Sequence, residues 1–114
     1  MKFTLDPKIQ KRLGVNKDSL LEFCHRNHVQ KLGLFGSILR EDFNEKTSDV
    51  DVLIEFEGNF KIGLIAFIGI EQDLEDLLHR KVDLASWKGI EESVNPLRKK
   101  IILETARVIY DAAR

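Results

Sequence analysis

The sequence predicts an α+β domain in which a small mixed or antiparallel sheet has helices packed on one face. Three observations carry that expectation. DVDVLIEF, residues 49–56, alternates in the manner of a strand; Ile62 to Leu78 has apolar residues at helical spacing; and turn-forming residues separate short strand-like and helix-like runs. The 114 residues are enough for one domain, spanning 1–114, with a single core.

Along the chain, Pro7 and Gly14 punctuate a charged opening segment. VNKDSLLEFCHRNH reads as a helix, with Asn16 as its N-cap and Leu20, Leu21, Phe23 and Cys24 on one side. VQKLGLFG reads as a first strand that Gly36 ends, SILREDF as a short helix-compatible piece, and NEKTSD as a polar loop. In DVDVLIEF, side chains alternate faces, so Val50, Val52, Ile54 and Phe56 form an apolar face opposite Asp49, Asp51, Leu53 and Glu55. Gly58 and Asn59 break that strand.

The helix from Ile62 to Leu78 is apolar almost all round in its first half, and Phe60 to Ile70 is expected to be core, with a partner chain as the alternative cover. HRKVDLASW reads as a third strand, with Val82 and Leu84 on one face and Asp83 and Ala85 on the other. Pro96 opens a final helix carrying Leu97, Ile101, Ile102 and Ala106, after which Arg107 to Tyr110 either extend it or form a last edge strand. Trp87 and Tyr110 could each be core or interface.

Composition narrows the function. Lys and Arg total 18 against 19 Asp and Glu, a net charge of −1, which gives no long-range basic field for nucleic acid. Cys24 is the only cysteine, in keeping with a reducing cytosol, and the start MKFTLDPK has no apolar signal core. No apolar run approaches the roughly 20 residues of a membrane span. A cytoplasmic protein, bound neither to membrane nor directly to nucleic acid, is expected.

Carboxylates on a strand need compensation, since burying one unpaired costs several kcal/mol and like charges on one face repel. Salt bridges to Lys46 or Lys81 are one answer. A divalent cation is another, and would compensate Asp49, Asp51 and Asp83 together. Mg²⁺ prefers oxygen ligands and usually takes one or two carboxylates, completing its shell with water and substrate phosphates. Two such ions about 3.5–4 Å apart suit phosphoryl-transfer chemistry. Gly36 and Ser37 supply a phosphate-facing element, because a strand ends there and a glycine lets the backbone approach closely. Arg40, further on, either holds phosphate or braces the loop.

The combination of GSILREDF, SDVDVLIEF, the apolar helix FIGIEQDLEDLLHR and KVDLAS resembles the nucleotidyltransferase superfamily of DNA polymerase beta, and within it the minimal nucleotidyltransferases (MNT). The likeness runs from about Val29 to the C-terminus. It implies the polymerase beta palm-like fold, with Gly36 and Ser37 on the triphosphate, Asp49 and Asp51 as the metal-binding pair, and Asp83 as the third acid. Arg40 falls on the family's loop arginine, and eleven residues separate Ser37 from Asp49, close to the family's spacing.

Stand-alone MNT proteins are commonly antitoxins of HEPN ribonuclease toxins, so the resemblance implies Mg²⁺-dependent transfer of AMP from ATP to a tyrosine hydroxyl of such a toxin. A binding-only antitoxin and a small-molecule nucleotidyltransferase are the alternatives. Cys24, His25 and His28 match no complete tetrahedral metal set and are read as surface or helix-end residues.

Overall fold

A computed structural model describes residues 1–58 and 62–113. Asn59, expected to help end a strand, and Phe60, expected in the core, lie outside the described residues. The elements run β1 (Lys2–Phe3), α1 (Pro7–Leu13), α2 (Lys17–Arg26), β2 (Val29–Phe35), a 3₁₀ turn (Gly36–Leu39), β3 (Val50–Phe56), α3 (Leu64–Leu78), β4 (Val82–Ser86), α4 (Trp87–Glu91), α5 (Pro96–Thr105) and β5 (Arg107–Asp111).

The sheet has the order β1-β5-β2-β3-β4. All neighbours are antiparallel except β3 and β4, which are parallel because α3 carries the chain back between them. The alternation in β3 sorts its residues as expected. Val50, Val52 and Ile54 are buried with Ile9 and Leu13 of α1, Leu20 and Phe23 of α2, and Ile70, Leu74 and Leu78 of α3. On the other face, Leu53 packs with Phe35, Trp87, Ile90 and Ile102, so α4 and α5 add a second, smaller cluster there and helices cover both faces rather than the one expected, because Leu53 and Phe35 are apolar on the acid-bearing side.

Local chemistry explains the elements that sequence patterning left open. Asp6 caps α1 by accepting from the Lys8 amide at 2.8 Å, Pro7 occupies its first turn, and Gly14 closes it at φ +66°. The two residues that read as punctuation are therefore the helix's own ends. Asn16 caps α2 as expected, accepting from the Ser19 amide at 2.8 Å. The third strand stops at Ser86, whose hydroxyl accepts from the Gly89 amide and begins α4. Arg107–Asp111 is a strand rather than helix, and it lies between β1 and β2.

The apolar half of α3 is not core as expected. Leu64, Ile65 and Ile68 are 76%, 88% and 51% exposed, while Ile70, Leu74 and Leu78 are buried and Phe67 is half-buried. A helix against one sheet face can bury only one stripe, and Ile65 and Ile68 lie away from it. Trp87 and Tyr110 are both buried, which settles them as core. Among the described residues no helix is long and apolar enough to cross a membrane.

Two glutamates of α3 also fix the free side of β4. Glu75 accepts from the Val82 amide at 2.9 Å and Glu71 from the Leu84 amide at 3.0 Å. These are the outward-pointing N–H groups of an edge strand, so their capture both blunts that edge and sets where β4 lies against β3.

Candidate functional site

The site is built where β2 ends beside the start of β3. Phe35 is extended, Gly36 turns the chain with φ +76°, and the Arg40 amide closes the 3₁₀ turn onto the Ser37 carbonyl at 2.9 Å. A positive φ of this size favours glycine. Space demands it as well, because a Cβ on Gly36 would come within 3.1 Å of the Asp51 Cγ and closer still to Oδ2.

Register brings the acids together. Phe35 pairs with Asp51 across the antiparallel ladder, and Asp51 lies beside Asp83 across the parallel one. Asp49 precedes β3 by one residue, next to Val50, whose amide donates to the Lys81 carbonyl at 3.0 Å. Asp51 is half-buried, whereas Asp49 and Asp83 are exposed. Burial first, then the charges of Asp83 and Asp49, push the Asp51 carboxyl above its ordinary pKa, and Arg40 and Arg98 pull it partly back. Among the described residues none of the three acids forms a side-chain ion pair, so Lys46 and Lys81 do not neutralise them.

The loop leading to Asp49 is held by its own side chains. Asn44 accepts from the Lys46 and Thr47 amides at 2.8 and 3.2 Å, and its amide donates to the Ser48 hydroxyl at 2.9 Å. Arg40 is exposed and pairs with Asp42 at 3.0 Å, although its charge is felt by Asp51.

Arg98 is a positive charge that sequence reading missed, and it draws the Asp51 pKa down. It lies one turn before Ile102 on α5, and Ile102 packs against Phe35, the register partner of Asp51. Its helical spacing from a core residue was visible, but nothing in the sequence showed that this helix crosses the acid-bearing face.

As a metal site the three acids have a uniform donor chemistry. They offer only hard carboxylate oxygens, and burial together with the charges of Asp83 and Asp49 disfavours the ionised form of Asp51, a cost that a divalent cation would relieve. Among the described residues no three His, Cys, Asp or Glu side chains converge closely enough to hold an ion by themselves. An ion bound through one or two carboxylates and substrate phosphates does not require that, so the residues fit Mg²⁺.

Residues 17–109 match the model of the nucleotidyltransferase domain family. The chain belongs to that family. This nucleotidyltransferase is 36% identical over 88 residues to the protein adenylyltransferase MntA of Thermococcus cleftensis, covering 76% of this chain and 82% of the relative. Its fold is similar to a chain of a crystal structure described as a toxin–antitoxin with AMP-PNP, with a TM-score of 0.65 and 19% identity over 86% of this chain and 75% of that one. It is also similar to a chain of a complex described as tri-AMPylated Shewanella oneidensis HEPN toxin with MNT antitoxin. There the TM-score is 0.59 and the identity 18%, covering 92% of this nucleotidyltransferase and 74% of that chain.

Proposed function

We propose that this nucleotidyltransferase transfers AMP from ATP to a tyrosine hydroxyl of a HEPN ribonuclease toxin and thereby serves as its antitoxin. The observation that carries the reading is the contact of Gly36 with Asp51, which sets a turn able to face phosphate directly against the acid beside Asp83. The names of the adenylyltransferase relative and of the two complexes supply the nucleotide and the class of partner.

In this reading the backbone at Gly36 and Ser37 binds the triphosphate, and Arg98, with Arg40 on the loop, orients it by charge. Asp49 and Asp51 would hold Mg²⁺, with Asp83 completing the site for a second ion. Bound there, Mg²⁺ supplies Lewis-acid stabilisation of charge on the transferring phosphate. The acceptor phenol oxygen attacks the α-phosphorus, the bond from that phosphorus to the bridging oxygen breaks, and pyrophosphate leaves. An Asp83 carboxylate oxygen takes the phenolic proton.

Intact-mass spectrometry of the toxin after incubation with this protein, ATP and Mg²⁺ tests the proposal. A gain of one or more AMP residues with loss of ribonuclease activity supports it. A neutralised toxin of unchanged mass would instead make the chain a binding-only antitoxin.

A further inference from the structure

We propose that Arg12 is a positioning residue that fixes the Gly36–Leu39 turn from behind, a role resting on the nucleotide-binding reading of that turn. Arg12 belongs to α1, which ends before the family match begins at residue 17. Its Nη1 donates to the carbonyl of Ile38 at 2.9 Å and to that of Arg40 at 2.7 Å. Those two carbonyls are where the turn hands over to the loop that runs on to Asp49.

A four-residue 3₁₀ turn has poor internal hydrogen-bond geometry, and Arg40 leaves it in extended conformation at φ −108°. Gripping both exit carbonyls with one guanidinium nitrogen removes that freedom, and a charged donor makes the grip stronger than a neutral one. The helix that presents Arg12 is seated by Ile9 and Leu13, both buried in the main core.

The same guanidinium lies 5.7 Å from the centroid of the Phe43 ring, and Arg80 lies 5.1 Å from that centroid. Arg80 also reaches the Ser48 carbonyl at 3.5 Å, and Lys8 of α1 pairs with Glu41 at 2.8 Å. The loop between the turn and Asp49 is thus tied at Glu41, Phe43 and Ser48. Arg12 touches both the turn and this anchored loop.

The test uses the full chain with Arg12→Met, Arg12→Lys and, as a control for loosening α1 alone, Leu13→Ala. Hydrogen exchange reads the turn without nucleotide, and AMP-transfer kinetics read its consequence. Arg12→Met is expected to speed amide exchange at residues 37–42 and to raise KM for ATP at least about tenfold with a smaller effect on kcat, a loss on the scale of one charged hydrogen bond. Arg12→Lys should recover part of both. Leu13→Ala should lower Tm without the KM change when assayed well below Tm.

Unchanged exchange in Arg12→Met, or an equal KM increase in Leu13→Ala, would overturn the inference. Faster exchange at 37–42 in a protein whose wild type neither binds ATP nor transfers AMP would support the clamp and overturn the nucleotide reading of the turn.

Discussion

Gly36 and Asp51 occupy one another's space: the glycine has no side chain where the aspartate carboxylate lies, with Cγ 3.1 Å from the position a Cβ would take. The ladder pairs Phe35 with Asp51, so the turn and the acid are neighbours by strand register rather than by loop chance. This joins the two halves of the candidate site into one rigid unit.

Gly36→Ala should therefore damage activity far more than stability. A non-glycine residue in the left-handed region costs about 1–2 kcal/mol. Displacing Asp51 or the turn by about 1 Å is expected to lower AMP transfer by on the order of 100-fold. Thermal melting and transfer rate, measured side by side, check the asymmetry.

Asp51→Asn should not destabilise the fold at neutral pH. Because burial and two acidic neighbours raise the folded-state pKa of Asp51, its favourable contribution is complete below the unfolded carboxylate pKa and is lost as pH rises through the raised value. At neutral pH the charged side chain is a burden, so the asparagine variant should melt at an equal or higher temperature. That advantage should shrink as pH falls through the raised folded pKa. Melting curves across acidic and neutral pH decide this, and a clear loss of Tm at pH 7 would contradict it.

Arg98→Ala should raise KM for ATP by about tenfold, the scale of one charged contact. It should also shift the acid limb of the rate–pH profile upward, because the charge of Arg98 helps hold the Asp51 pKa down. Arg40→Ala should shift that limb in the same direction. An unmoved profile in both variants would sever these arginines from the site.

Cys24 should be inert in the native protein. It is fully buried, and burial pushes its thiol pKa up to about 12, so almost no thiolate exists at pH 8. A thiol reagent should label it only in denaturant, and rapid labelling of the native protein would contradict its placement in the core.

Much of this architecture was legible in the sequence. The alternation from Val50 to Phe56 sorted core from acid-bearing face, and Asn16 marked the start of α2, because these signals are local. The first helix was missed because only Ile9 and Leu13 carry its apolar stripe among charged residues, and its terminal Pro7 and Gly14 look like loop markers. The strand Arg107–Asp111 was ambiguous because a register shift between Leu32 and Gly33 of β2 breaks its alternation, burying consecutive Ile109 and Tyr110. Arg12 reaches across 26 and 28 residues of chain, the charge of Arg98 is felt at Asp51 from another helix, and no periodicity announces either.

In the proposed reaction AMP transfer depends on the carboxylates of Asp49 and Asp51. The measurement that decides this is the intact mass of a candidate HEPN toxin after incubation with ATP and Mg²⁺, comparing wild-type protein with Asp49→Asn/Asp51→Asn whose fold is checked by melting. Wild-type protein should add AMP and the folded variant none. AMP addition by the variant at a comparable rate would contradict it.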